Sequence, residues 1–311
     1  MMTNKLKLYW EFCRPFTLIP PAVGMISGGL TGLGAITPDA GRLVSSWGDG
    51  PGMIAARIVA GGLMAMFLNG FSNTLNQITD IKLDLINKPD RPLCDGRMQR
   101  NEAWVLTLVL LAVALGLALF VGWQCLMIVA ITSVFTWSYS AKPLWMKSRG
   151  IWANLTIAIP RGVLLKVCGW SAVKGIFTAE PWIIGSVFGL FLLGASTTKD
   201  YADIQGDSAG GCRTLPVIYG VRTSAYMISP FFVLPFIWLI VGTQLGLFTG
   251  DPLILTCLGA LLALWGVWVV AGILKDPEAL AGKENHPSWT HMYLMMLTLQ
   301  FGFALAYLVH I

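Results

Sequence analysis

Apolar runs about twenty residues long, broken by short polar stretches, set the pattern of this chain from residue 16 onward. A helix needs about 20 mostly apolar residues to cross the hydrocarbon of a bilayer. Nine segments have that length: 16–36, 53–75, 103–121, 124–141, 152–172, 181–199, 224–247, 253–273 and 291–310. The third and fourth are separated only by Gly122-Trp123-Gln124, which predicts a tight helical hairpin. Pro20, Pro21, Pro160, Pro230 and Pro235 fall inside or beside spans, where neighbouring helices must satisfy the freed backbone groups. The expected fold is all-α and integral to the membrane: nine transmembrane helices around a central cavity, in one polytopic domain over residues 1–311.

Composition narrows the class. Hydrophobic residues make up 55% and charged residues 12% of the chain, against about 25% charged in soluble domains, so a single soluble core is excluded. Six cysteines without C-x-x-C spacing indicate neither a disulfide framework nor a zinc site. His286 and His291 form no H-E-x-x-H and are expected at loop and helix-start surface positions. In MMTNKLKLYWEFCRPF, Glu11 and Arg14 interrupt any signal-peptide core. Lys5 and Lys7 beside Leu6, Leu8, Tyr9, Trp10 and Phe12 instead suit an interfacial helix over residues 1–15. Sixteen of the 21 Lys and Arg residues fall before the first span or after spans two, four, six and eight, against Arg42 and Lys174 on the other side. That bias puts the N-terminus and those loops, including the motif loops 76–102 and 200–223, in the cytoplasm. The partners expected are the lipid bilayer and small lipophilic molecules, with no nucleic acid.

Two polar ladders carry the chemistry. Asn76-x-x-x-Asp80-x-x-x-Asp84 ends the second span, and Asp200-x-x-Asp203-x-x-x-Asp207 ends the sixth. Steps of three and four put each set on one helix face, where like charges repel unless a cation lies between them. One such ladder reads as easily as a solvated helix end; two on the same side of the membrane do not. Facing carboxylate rows suit oxygen-seeking Mg²⁺ shared with a phosphate ester, so a magnesium–diphosphate site at the membrane surface is expected. Asn69, Asn73 and Asn76 carry the first polar face back into the span, where polar groups are costly and usually face a cavity. Cationic candidates for the diphosphate are Arg91, Lys142, Lys147, Lys199, Arg213 and Arg161. The last lies within a span and is functional by default. Lys166, five residues on and about 140° around the helix, is expected to face elsewhere or snorkel toward the outer surface. A weak repeat relates Asn73/Asn76/Asp80/Asp84 to Ser196/Asp200/Asp203/Asp207.

These motifs, with Asn87-Lys88-Pro89-x-Arg91-Pro92-Leu93, Gly206-Asp207, Thr214-Leu215-Pro216 and the early Arg14-Pro15-Phe16-Thr17, resemble the UbiA superfamily of intramembrane prenyltransferases. Asn87-Lys88-Pro89 and Arg161-Gly162-x-Leu164-Leu165 are closest to homogentisate prenyltransferases. The stretch from Lys199 to Asp207 is similar to digeranylgeranylglyceryl phosphate synthases and chlorophyll synthases. The resemblance implies that Asn76, Asp80, Asp84, Asp203 and Asp207 hold two Mg²⁺ ions on a prenyl diphosphate. Asn73, Asn76, Arg91, Lys142, Lys147, Lys199 and Arg213 are assigned to the diphosphate. Asp200 orients or deprotonates the acceptor, and Arg161 contacts diphosphate or acceptor. Tyr139, with Trp137 and Tyr201 as further choices, faces the allylic cation. The implied reaction moves a polyprenyl group, geranylgeranyl being the first to try, to a lipophilic, amphiphilic or aromatic acceptor. A terpene cyclase using the same site without an acceptor is the alternative. A secondary transporter fits less well, because the acids gather at one surface instead of at mid-bilayer.

Overall fold

Residues 2–36, 50–282 and 286–309, which the computed structural model describes, form helices and connecting turns with no strand among them. α1 (Met2–Cys13) is followed by α2 (Ile19–Gly34), α3 (Pro51–Thr79) and the short α4 (Ile81–Asn87). α5 (Arg100–Val121) and α6 (Trp123–Ser140) make the expected hairpin about Gly122. α7 (Ile151–Ala158) and α8 (Leu165–Trp170) are two parts of one span. Next come α9 (Glu180–Ala195) and the short α10 (Ile204–Ala209). α11 (Leu215–Ile228) and α12 (Leu234–Gln244) share a span broken at Ser229–Phe232, and α13 (Pro252–Lys275) and α14 (Pro287–Leu308) complete the bundle. The chain is an integral membrane protein.

Eight segments among the described residues are long and apolar enough to cross a bilayer, where nine were expected. The shortfall is α6. Its 18 residues would span about 27 Å at 1.5 Å per residue, but Gln124, Ser133 and Ser138 dilute its apolar character along with Thr132, Thr136 and Ser140. The last three line a cavity, so the polarity that disguises the helix belongs to the inside of the bundle. The seventh crossing is preceded by a short helical turn from Leu215 that Gly220 (φ 77°, ψ 167°) breaks off, so its continuous helix begins close to the expected residue 224.

The fifth crossing, Ile151–Trp170, changes pitch in its middle: Ile159–Leu164 form a π-helical turn between α7 and α8. Pro160 supplies the cause, since it has no N–H to continue the α ladder. Such turns often mark functional positions, and Arg161 stands in this one. Close backbone packing holds the span. A Cβ on Gly169 would lie 2.4 Å from the Met25 carbonyl oxygen, and one on Gly162 2.5 Å from the Gly189 Cα. Membrane helices use small residues for such approaches because dispersion contacts, more than hydrophobic burial, hold them together.

Lys166 does not snorkel. It is buried, donates to the Ser27 hydroxyl at 2.9 Å and lies 4.6 Å from the centre of the Phe188 ring. α8 packs between α2 and α9, which closes the route to the surface. Nearby, Glu180 fastens the same end of the bundle by accepting from the Thr249 N–H (2.7 Å), the Thr249 hydroxyl (2.9 Å) and the Tyr307 hydroxyl (2.6 Å). His286 accepts from the Ser288 N–H at the start of α14, and His291 accepts from the Trp265 indole at 3.2 Å. The cysteines are all free, Cys125 and Cys168 touching at 3.4 Å. Leu119, Leu253, Leu264 and Trp268 point outward, as lipid-facing side chains should.

Candidate functional site

α3 stops at Asp80, whose φ of −103° and ψ of 11° leave the helical region, and α4 restarts with the Asp84 N–H donating to the Asp80 carbonyl at 2.8 Å. The second ladder repeats the device. Asp203 has φ −103° and ψ 5°, and the Asp207 N–H donates to its carbonyl at 2.9 Å. This is the sparsely allowed bridge region, frequent at active-site residues. Much of the expected motif loops is therefore short helix hinged at a carboxylate, and the sequence repeat is also a repeat of backbone geometry.

Both ladders line one cavity of about 400 Å³. Its polar end holds Asn76, Asp80 and Asp84 on one side and Asp200, Asp203 and Asp207 on the other. Arg91, Lys147, Lys199, Arg161, Tyr139 and Asn73 also reach it. Its inner end is apolar: Met64, Ile128, Val129, Leu164, Leu165 and Cys168. Three carboxylates are engaged by cations. Lys147 donates to Asp80, Arg91 donates to Asp84, and Lys88 donates to both Asp203 oxygens at 2.8 Å. Asn76 donates to Asp80 at 2.6 Å, and its side-chain Oδ1 has no hydrogen-bond partner among the described residues.

Asp200 and Asp207 make no ion pair among the described residues. Burial pushes the Asp200 carboxyl up to about 7 and the Asp207 carboxyl up to about 6. Asp200 keeps partial exposure by surface area, but that surface opens on the cavity, so desolvation dominates. Burial also raises Asp84, which Arg91 only partly offsets, and lowers the Lys147 ammonium to about 8.

No three His, Cys, Asp or Glu side chains among the described residues converge on a single metal position. The donors are divided, two or three carboxylates per wall. All are oxygen ligands, and Lys or Arg already draws a cation onto three of them. Such a set fits hard divalent cations held on each wall, with a ligand between them completing the coordination.

Several expectations fail on geometry. Lys142 and Arg213 are exposed and stay outside the cavity lining. Lys142 instead stands 5.5 Å from the Trp145 ring centre, because the chain turns outward there and returns inward only at Lys147. Arg213 offers the site nothing but a backbone carbonyl, which accepts from the Gly150 N–H at 2.7 Å. Trp137 packs on Trp104 at an exposed face, and Tyr201 is buried away from the cavity. Tyr139 alone of the three aromatics lines it, with the Lys199 ammonium 5.8 Å from its ring centre.

Asn73 lines the cavity but spends its amide on the elbow after α1, donating to the Cys13 carbonyl (2.9 Å) and the Thr17 hydroxyl (2.8 Å). Asn69 donates to the Thr17 carbonyl at 2.8 Å and Gln77 to the Phe12 carbonyl at 2.7 Å. The polar stripe on α3 thus fastens the elbow after α1. Arg14 sits at that elbow with φ 57° and lines the cavity. It went unassigned in the sequence, as did Asn87 and Lys88. Those two continue the Asp80–Asp84 face by steps of three and four, a signal that was available.

An all-helical membrane bundle with two hinged carboxylate ladders on one internal cavity defines a polytopic membrane enzyme. Residues 40–283 match the UbiA prenyltransferase family, and the chain belongs to it. The protein is an intramembrane prenyltransferase that draws on a prenyl diphosphate. It is 33% identical over 237 residues to a digeranylgeranylglyceryl phosphate synthase of Natronomonas pharaonis, covering 74% of this chain and 78% of that one. It is 29% identical over 269 residues to the bacteriochlorophyll synthase 34 kDa chain of Chloroflexus aurantiacus, covering 86% and 81%. Among solved structures, a UbiA homologue from Archaeoglobus fulgidus bound to GPP and Mg²⁺ superposes with a TM-score of 0.73 at 18% identity, over 97% of this chain and 99% of that one. A digeranylgeranylglyceryl phosphate synthase superposes at 0.70 with 26% identity, over 98% and 99%.

Proposed function

We propose that the protein transfers a polyprenyl group from its diphosphate, in the presence of Mg²⁺, to a lipophilic acceptor carrying an acidic group. The observation that carries the reading is the pair of hinged ladders facing one cavity that is ionic at one end and apolar at the other. The solved relative that binds GPP and Mg²⁺ supports the donor and the metal. The bias of Lys and Arg supports a cytoplasmic N-terminus and site, with α1 lying on that surface: Leu6 and Trp10 are exposed while Phe12 is buried.

Asn76, Asp80 and Asp84 on one wall and Asp203 and Asp207 on the other would hold the metal. Bound Mg²⁺ supplies charge neutralisation that makes diphosphate a good leaving group. Lys147, Arg91 and Lys88, already beside those carboxylates, then meet the diphosphate oxygens and carry the charge that builds as the C–O bond breaks. The apolar inner end shelters the prenyl chain and keeps water from the allylic cation. Tyr139 presents a ring face at the junction of the two ends, an interaction worth up to about 2 kcal/mol when desolvated. Asp200, its carboxyl pushed up to about 7 by burial, accepts the acceptor's proton in its ionised form.

The acidic group on the acceptor is inferred from Arg14 and Arg161. Both open on the cavity, and neither side chain makes an ion pair or hydrogen bond among the described residues. Incubating the purified protein and Mg²⁺ with labelled geranylgeranyl diphosphate tests the whole reading. The acceptor panel should contain an aromatic acid, a prenylglyceryl phosphate and a chlorin carboxylate, each beside its neutral ester. Prenylated acid with little prenylated ester supports it. Hydrocarbon released from donor alone would show a cyclase and overturn it.

A further inference from the structure

The geometry points to Asn87 as a positioning residue that sets the separation of the two carboxylate ladders, an inference that rests on the metal–diphosphate reading above. Asn87 is the last residue of α4, one turn beyond Asp84. Its side-chain amide crosses to the second ladder and uses both ends there. The Oδ1 accepts from the Gly206 N–H at 3.0 Å, and the Nδ2 donates to the Asp203 carbonyl at 3.3 Å. Gly206 and Asp203 belong to the turn that presents Asp203 and Asp207, so one planar amide is tied to the backbone that aims both carboxylates.

The contact has no slack. A Cβ on Gly206 would stand 2.3 Å from the Asn87 amide nitrogen and 2.4 Å from its oxygen. Glycine at 206 is thus required by Asn87, not by a backbone conformation, since Gly206 lies within α10 and has no positive φ. One turn on, a Cβ at Gly210 would meet the Leu83 side chain at 2.2 Å, so α4 and α10 touch along their length. A neighbouring ion pair, Lys88 to Asp203, joins the same two elements. It differs in kind, being half-exposed and made to a carboxylate that the metal would claim. The Asn87 bonds go to backbone and survive that claim.

The consequence concerns a ligand that must touch both walls at once. Metal held on one wall needs only that wall; a diphosphate bridging both needs their spacing. Groups that orient metal ligands from behind typically change metal affinity or activity by about 10–100-fold when removed. Asn87 ties one wall to the backbone of the other, so the loss should fall on diphosphate bound with metal and much less on metal held by one wall alone.

The test measures Mn²⁺ and inorganic diphosphate binding to the full chain in detergent, by equilibrium dialysis at one fixed free Mn²⁺ concentration, beside thermal unfolding of the ligand-free protein. Asn87→Ala and Gly206→Ala, changes on opposite sides of one contact, are each expected to weaken Mn²⁺-dependent diphosphate binding by about tenfold or more. Binding of Mn²⁺ alone should shift by less than about threefold. The double variant should lose little more than Asn87→Ala, because alanine at 87 removes the atoms that the new Cβ would strike. In turnover, kcat should fall while acceptor KM stays within about twofold. If Asn87→Ala fails to fold, Asn87→Ser replaces it in every comparison.

Three results would overturn the proposal. Both single variants could lose thermal stability yet keep diphosphate affinity and kcat, which makes the contact structural only. Asn87→Ala could lose affinity while Gly206→Ala keeps it, which makes Asn87 a direct ligand. The losses of the two variants could add in the double variant, which denies a shared contact. Failure of the unaltered protein to bind diphosphate with Mn²⁺ would instead refute the metal–diphosphate site itself.

Discussion

The two ladders share a backbone hinge and differ in everything around it. Asp80 and Asp84 are closed in, with 11% and 9% of their side-chain surface exposed, and are gripped by the buried Lys147 and the largely covered Arg91. Asp203 is more open at 27%, its lysine is 41% exposed, and its neighbours Asp200 and Asp207 make no ion pair among the described residues. The carboxylates of the first wall are thus paired before ligand arrives, and two of the second wall are left unpaired, although Asn87 fixes where that wall stands. Breaking a buried pair strands a charge and costs about 3–5 kcal/mol, whereas an exposed pair is worth about 0–1 kcal/mol. A charge-paired wall facing one with unpaired carboxylates lets a single cation-bearing ligand complete the site from the second side.

The most severe way to challenge this contrast is removal of the metal. Chelation should abolish turnover, Mg²⁺ or Mn²⁺ should restore it, and Zn²⁺ should serve poorly because every donor is oxygen. Full activity in metal-free buffer would sink the two-wall reading. Next come the walls one at a time. Asp80→Ala and Asp207→Ala should each cost at least about a hundredfold in kcat/KM, as for loss of a ligand to a catalytic metal. Only the first wall should also carry stability. Lys147→Ala should lower the unfolding temperature markedly, and Lys88→Ala should leave it nearly unchanged.

A smaller effect separates donor from acceptor. Arg161→Ala should raise acceptor KM or lower kcat by roughly tenfold, the scale of one lost charge-assisted contact, with donor affinity intact. A fall in donor affinity instead would reassign Arg161 to the diphosphate.

The second wall should also respond to pH. Asp200 and Asp207 hold protons up to about 7 and about 6, above the ordinary carboxylate range, so from about pH 4 to 7 the metal-free protein binds more protons folded than unfolded. Its stability should fall as pH rises through that window. Metal must displace the Asp207 proton, so Mn²⁺ affinity should rise as pH rises through about 6. A flat Mn²⁺ affinity between pH 5.5 and 7.5 would contradict the assignment. The smallest expected effects are those of Lys142→Ala and Arg213→Ala, within about threefold in kcat/KM, because neither side chain reaches the cavity.

Much of this was legible in the sequence because both lipid and metal impose spacing. Apolar length located the spans, and steps of three and four placed Asp80 beside Asp84 and Asp203 beside Asp207. What escaped depends on where a loop turns. Lys142 and Lys147 are alike in composition and context, yet the chain between them reverses, and only Lys147 comes inside. Arg14 was hidden for a similar reason: its place is set by Asn69, Asn73 and Gln77 from another helix, and no local pattern around residue 14 encodes that. The polar residues of α6 left its apolar run at 124–141 legible while lowering its mean hydropathy. Three of them, Thr132, Thr136 and Ser140, line the cavity.

The π-helical turn at Ile159–Leu164 has one more consequence. A π turn takes up one extra residue within a single wider turn, so deleting one position inside it should restore regular pitch while the helix beyond keeps its register. Deleting one position in α7, outside the turn, should instead rotate the rest of the crossing by about 100°, carrying Leu164, Leu165 and Cys168 from the cavity wall and Lys166 from its aromatic seat. The fifth crossing therefore tolerates a single-residue loss at this turn and not along the regular helix beside it.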